Sequence, residues 1–148
     1  MTKPDAEKVL IYALNRGRLL VFDEPDFPEV ELQVPGGTIE SGENVADAAL
    51  REFQEETGVR PDKPLVHIDT VDYRFRKGER EICHRRHFFA VQLDGNLPQS
   101  WVHFENHAFD GSPPIQFRFS WIDLGEAASK LGYGMELALG RLERPTFP

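Results

Sequence analysis

Two apolar-rich runs, Lys8–Leu14 and Leu19–Phe22, flank Asn15-Arg16-Gly17-Arg18, a spacing that predicts a β-hairpin. The acid- and proline-rich stretch Asp23–Glu31 predicts a loop, and Leu32–Val34 a brief strand halted by Pro35-Gly36-Gly37. Ala46, Ala49, Leu50 and Phe53 recur at i, i+3, i+4 and i+7, which predicts a helix over Val45–Thr57 with that stripe in the core. Asn44 suits its N-cap with Asp47 three residues on, Gly58 suits a left-handed C′ position, and Pro61 opposes resumption. Leu65–Phe75 and Glu81–Leu93 read as strands joined by a turn at Arg76–Arg80. Asp94–Gln116 is polar and rich in Gly and Pro and predicts a long loop; a loop of that length in a compact domain is more often functional than accidental. Phe117–Ile122 predicts a strand, and Asp123–Leu131 and Met135–Leu142 two helices around Gly132-Tyr133-Gly134, with an exposed tail from Glu143. The order predicts an α/β fold of one domain over residues 1–148, with helices on both sides of a mixed sheet.

Net charge changes the picture. At −8, with a pI near 5.1, the chain lacks the basic surface of a nucleic-acid coat protein. A small anionic substrate stays open, because a bound cation and a local arginine cluster reverse the field inside a cleft. Cys83 is the single cysteine, so no internal disulfide forms and a reducing compartment fits. The first ten residues hold no apolar segment of signal-peptide length, and no stretch approaches membrane-spanning length. A soluble cytoplasmic protein is expected.

Chemistry concentrates in Gly37–Val59. Glu52, Glu55 and Glu56 share one side of the predicted helix and are expected to project away from the Ala46–Leu50–Phe53 stripe. Ionised neighbours of like sign on an exposed helix cost roughly 0.2–0.5 kcal/mol per pair. A divalent cation such as Mg²⁺ or Mn²⁺ turns that repulsion into coordination by oxygen ligands. Arg51 is placed to reach Glu43 or Glu55 and orient a carboxylate, and Gly36 and Gly37 let the backbone approach the helix, so that a carbonyl there is available to the metal. A lone E-x-x-E-E is usually a solvated face, but that reading leaves the glycines, Glu43 and Arg51 at their fixed offsets unexplained.

The segment resembles the Nudix box, Gly-x₅-Glu-x₇-Arg-Glu-U-x-Glu-Glu-x-Gly-U with U bulky and apolar. Gly37, Glu43, Arg51, Glu52, Phe53, Glu55, Glu56, Gly58 and Val59 fill its specified positions, and Phe53 stands where an aliphatic residue is commoner. The resemblance implies a Nudix-like α/β/α sandwich and a Mg²⁺- or Mn²⁺-dependent hydrolase that cleaves a pyrophosphate bond in a nucleoside diphosphate linked to another moiety. It implies metal binding by Glu52 and Glu56, with Glu55 and the Gly36 carbonyl assisting. Arg51, Glu43, Gly37 and Gly58 would hold helix and loop in place. The general base lies within the box in some members and on a later loop in others; Glu105 is the later candidate here. A homodimer is expected by analogy.

Smaller signals surround the box. Arg74, Arg76, Lys77, Arg80, Arg85 and Arg86 cluster around the predicted hairpin, and Arg74, Arg76 and Arg86 are candidates for phosphate contact. Tyr73, Trp101 and Phe104 are candidates for stacking, and Tyr73 falls roughly where some dinucleoside-polyphosphate members carry a tyrosine. Cys83, His84 and His87 do not converge on a strand, which argues against zinc; His103 and His107 read as polar loop residues. A non-catalytic nucleotide-binding domain is the alternative, and an isomerase of diphosphate esters a third, but the chain shows no convincing set of the extra histidine and cysteine ligands such isomerases use.

Overall fold

In a computed structural model that describes residues 3–105 and 113–143, the chain forms one mixed sheet with helical segments on both faces. Its strands are β1 (Ala6–Asn15), β2 (Arg18–Asp23), β3 (Gly36–Thr38), β4 (Val66–Lys77), β5 (Arg80–Gln92), β6 (Ser100–Glu105) and β7 (Ile115–Asp123). The helices are α1 (Val45–Thr57) and α2 (Leu124–Lys130), followed by a 3-10 turn at Leu139–Glu143. The spatial order is β4-β5-β1-β2-β7-β6, with β3 pairing beside β1. The β1–β5 pair is parallel and the others antiparallel, as the expected mixed sheet requires.

The first hairpin closes on Arg16 (φ 53°) and Gly17 (φ 77°), two left-handed residues that match the twist of the flanking strands. β1 then serves three neighbours. Its end pairs with β2, its first half with β3, and its other edge with β5 throughout. Alternating residues of β1 feed two cores. Val9, Ile11 and Ala13 pack with Ala48, Ala49 and Phe53 of α1; Leu10, Tyr12 and Leu14 pack with Ala127, Met135 and Ala138. The buried Tyr12 hydroxyl donates to the Met135 carbonyl at 2.6 Å and accepts from the Ala138 N–H at 3.3 Å, which ties the last segment to the central strand.

Helix α1 has the expected ends. Asn44 Oδ1 accepts from the N–H of Ala46 (2.9 Å) and Asp47 (3.3 Å), and Gly58 closes the helix at φ 77°. Its buried face differs from the expected stripe. Ala48, Ala49, Phe53 and Thr57 are buried, whereas Ala46 is exposed and Leu50 is 41% exposed. Val45, Ala48, Glu52 and Glu56, three to four residues apart, continue along the sheet side, so Glu52 and Glu56 flank the core rather than point away from it.

Three other expectations change. The brief strand is Gly36–Thr38, not Leu32–Val34, because glycine lets the backbone close on β1: a Cβ at Gly36 would lie 2.3 Å from the Val9 carbonyl oxygen. Leu32 and Gln33 make only single bridges. The long loop contains β6, paired along its length with β7; residues 106–112, with His107, lie outside the described residues. Met135–Leu142 is not an α-helix. Its hydrogen bonds run three residues back, as in Leu137 N–H to Gly134 and Arg141 N–H to Ala138, and the buried Met135 and Ala138 share that spacing. The expected exposed tail from Glu143 lies almost wholly outside the described residues. Among the described residues, no helix is long and apolar enough to cross a membrane.

Phe53→Ala should lower the unfolding free energy by about 3–5 kcal/mol, and Leu50→Gln should change it by about 0.5 kcal/mol or less, as read from urea denaturation midpoints.

Candidate active site

A cleft of about 1100 Å³ opens between α1, the β3 loop, the ends of β2 and β6, and the faces of β1, β4 and β5. Glu24, Glu52, Glu55, Glu56 and Glu105 line one part of it, with Gly36, Gly37 and Arg51; Lys8, Tyr73, Phe75, His84, Arg86 and Tyr133 line another.

The carboxylates are placed by hydrogen bonds to backbone and to one guanidinium. Arg51 grips Glu43 with two bonds, Nε at 2.7 Å and a terminal nitrogen at 2.8 Å. That terminal nitrogen also donates to the Thr38 carbonyl at 3.3 Å, while the other reaches Glu52 Oε1 at 2.8 Å and Glu55 Oε2 at 3.2 Å. Helix, loop and strand are thus joined through one side chain. Glu43 also accepts from the Glu40 N–H at 3.0 Å, and with Arg51 this pulls its pKa down to about 2. The same ion pair raises the already high pKa of Arg51.

Gly36 and Gly37 fit these carboxylates closely. The Gly36 N–H donates to Glu56 Oε1 at 3.2 Å. A Cβ at Gly37 would lie 2.1 Å from Glu52 Oε2, so the carboxylate fills the space a side chain would take. Gly58 does more than end the helix: a Cβ there would meet the His103 ring at 3.1 Å. His103 Nε2 bonds the Glu55 carbonyl at 2.8 Å and Trp101 Nε1 donates to the Thr57 carbonyl at 2.9 Å, so β6 satisfies the last carbonyls of α1.

Burial is the largest influence on the proton affinity of three of these carboxyls. The Glu56 carboxyl is crowded by protein, and this, with the charges of Glu105, Glu52 and Glu24, pushes its pKa well above the usual range despite the Gly36 hydrogen bond. Burial also raises Glu52, helped by Glu55 and Glu105 and opposed by Arg51. It raises Glu24 as well, with Glu105 and Glu29 adding to it and Gln33 opposing. Glu105 therefore stands close enough to three other carboxylates to perturb them.

This donor set fits a hard divalent cation: oxygen ligands of excess negative charge, partly desolvated, beside backbone that a Cβ would obstruct. Among the described residues the carboxylates do not already converge as a finished cage; Glu52 and Glu55 are turned onto Arg51. A cation arriving there would compete with Arg51 for them.

The candidate substrate residues divide. Arg86 and Tyr73 line the cleft, with the Arg86 guanidinium carbon 3.8 Å from the Tyr73 ring centre. Arg74 and Arg76 alternate to the opposite face of β4, where Arg74 pairs with Glu81 at 3.6 Å and Arg76 donates to the Glu79 carbonyl at 3.0 Å. Arg80 and Arg85 pair with Asp5 and Asp72. Trp101 stacks on Phe119 in the core, and Phe104 is 51% exposed outside the cleft. Cys83 is buried, His87 bonds Glu7 at 2.9 Å, and His84 faces the cleft. Lys8, Glu24 and His84 are cleft residues that pattern alone did not single out for the site, since each sits in a run explained by strand or loop.

A family model described as NUDIX domain matches residues 5–135. RNA pyrophosphohydrolase of Sphingopyxis alaskensis is 30% identical over 129 residues, 79% of this chain and 76% of that protein. With five further relatives the match spans 25–46% of the relative's length. Among solved structures, the MutT NUDIX hydrolase from Burkholderia pseudomallei superposes with a TM-score of 0.66 at 20% identity, over 95% of this chain and 99% of that one. The NUDIX domain of Shewanella oneidensis NrtR, solved in complex with ADP ribose, gives 0.67 at 15% identity, over 95% and 88%.

The raised Glu56 pKa has a measurable sign. Its folded carboxyl holds a proton more tightly than the unfolded one, whose pKa is about 4.3. The resulting stability is complete below that value and is lost as pH rises through the folded pKa; the lowered Glu43 acts only below about pH 4.3. In EDTA, wild type should therefore lose urea resistance as pH rises above the unfolded carboxyl value of about 4.3, Glu56→Gln should lose less, and Mg²⁺ added at the high-pH end should restore wild type more than the variant.

Proposed function

The chain belongs to the Nudix hydrolase family, and on that premise we propose that it hydrolyses a pyrophosphate bond in a nucleoside diphosphate linked to another moiety. The observation that carries this reading is the crowding of Glu52, Glu56 and Glu24 around Glu105, in which burial first and then the Glu105 charge raise the proton affinity of the other three. The ADP ribose held by the NrtR NUDIX domain supports a nucleotide derivative as ligand class.

Glu52, Glu55, Glu56 and the Gly36 carbonyl would hold Mg²⁺ or Mn²⁺, which supplies charge neutralisation for the phosphates and acidifies water. The chain's own residues do the rest. The Gly36 N–H fixes one oxygen of Glu56. Arg51, anchored on Glu43, orients Glu52 and Glu55 and acts as a positioning residue. Glu105, at the end of β6 and facing Glu52 and Glu56, is the proposed general base that takes a proton from the attacking water. Arg86 and Tyr73 are the proposed substrate contacts; Arg74 and Arg76, on the far face of β4, are left out. Gly37 and Gly58 keep the packing that lets the carboxylates sit where they do.

A panel of nucleoside diphosphate derivatives incubated with purified protein and Mg²⁺ tests this. Phosphate or nucleoside monophosphate release should appear with wild type. Glu105→Gln should lower kcat about 10²–10⁴-fold with KM little changed, and Glu56→Gln should lower activity at least as far. No turnover of any panel member, or undiminished turnover by Glu56→Gln, would sink the proposal.

A further inference from the structure

The cleft carries a second set of charges, of which the hydrolysis reading uses only Arg86 and gives it no particular phosphate. Lys8 on β1 and Arg86 on β5 are in register on adjacent parallel strands, and His84 lies two residues from Arg86 on the same face. All three line the cleft. Arg86 is only 6% exposed, yet its one hydrogen bond among the described residues goes to the Tyr133 carbonyl. None of the three makes an ion pair with a described carboxylate. A guanidinium out of water is costly unless an anion meets it.

The neighbours hold this group without a short ion pair, although the Tyr73 and Glu136 charges oppose the effect of burial on Arg86. The Tyr73 ring supports the Arg86 guanidinium and packs against Gly134, where a Cβ would lie 2.8 Å from the ring. Tyr133 holds its carbonyl toward Arg86 in a left-handed conformation (φ 58°), and its hydroxyl accepts from the Glu31 N–H at 3.0 Å. Lys8 donates to Thr38 Oγ1 at 2.6 Å, next to the glycine on which Glu52 packs. Burial lowers the Lys8 pKa, while the Glu52 charge raises it and the Arg86 charge lowers it. Burial, then Lys8 and Arg86, lower that of His84, with Asp5 opposing. The rings of Phe75 and Tyr133 line the same cleft as these three cations.

Building on the hydrolase reading, we propose that Lys8, His84 and Arg86 form a clamp for a phosphate beyond the pyrophosphate that is cleaved, so that the protein selects substrates with three or more linked phosphates over sugar nucleotides with two. Neighbouring strands are about 4.8 Å apart, so the cations lie within reach of the next phosphate along such a chain. A sugar in the same place offers hydroxyls but no charge and leaves the cations unmet.

Equilibrium titration with methylene-bridged, non-hydrolysable nucleoside triphosphate and diphosphate analogues in Mg²⁺ tests the clamp. Wild type should prefer the triphosphate about tenfold, and Lys8→Gln should remove most of that preference. Lys8 is only half-buried, so the variant is expected to fold; Arg86→Lys, which keeps the charge, should retain more of the preference than Arg86→Gln. A short RNA bearing the same 5′ analogue, titrated alongside, tells a free nucleotide from an RNA end, and Lys8-dependent binding of either supports the clamp. Equal affinity for the two nucleotides, or a preference unmoved by Lys8→Gln, overturns it. Because binding needs no turnover, hydrolysis without this preference removes the clamp alone, and the preference without hydrolysis removes the hydrolase reading alone.

Discussion

Everything at this site depends on holding several carboxylates in a partly dry place where their mutual repulsion is strong. Two devices make that possible. Arg51 spans four acidic groups at once, with its two-pronged bond to Glu43 as the anchor. The two glycines that open β3 supply the second, because a Cβ at Gly36 would strike β1 and one at Gly37 would take the space of the Glu52 carboxylate. An isolated surface pair contributes little. A bidentate pair at the hub of a network fixes geometry, and geometry is what a metal site needs.

The sheet explains why the two kinds of charge stay apart. β1 sends Val9, Ile11 and Ala13 toward α1 and Lys8, Leu10 and Tyr12 toward the opposite face. The carboxylates come from α1 and from the ends of β2 and β6, the cations from the β1 and β5 faces. A single opening thus borders both populations without their forming the short ion pairs that would cancel them. Such a polarised cleft suits a ligand that is itself ordered along its length, with phosphates at one end and an uncharged ring at the other.

Legibility in the sequence followed how local each cause was. The α1 ends were readable because Asn44 and Gly58 act on their own turns. The box was readable because its roles are tied to fixed offsets on one helix. The helix face was misjudged because Leu50 looks like core, while Ala48 and Thr57 are the residues buried. β6 was hidden by an inverted pattern: Val102 and Phe104 face out, while His103 and Glu105 face in to serve α1 and the cleft. Arg74 and Arg86 looked alike as members of one basic hairpin, and only strand register separates them. Glu24 and Lys8 owe their place to pairing between distant segments, which no local pattern encodes.

The Tyr12 hydroxyl, bonded to Met135 and Ala138 across more than a hundred residues, has a consequence for the order of assembly. During synthesis the acidic helix emerges long before Tyr133 and Met135 leave the ribosome. The nascent chain therefore carries Arg51 and the carboxylates of α1 well before the segment that closes over Tyr12 is in place. The Tyr133 carbonyl that backs Arg86 is thus among the later parts of the cleft to emerge, after the three cations it adjoins.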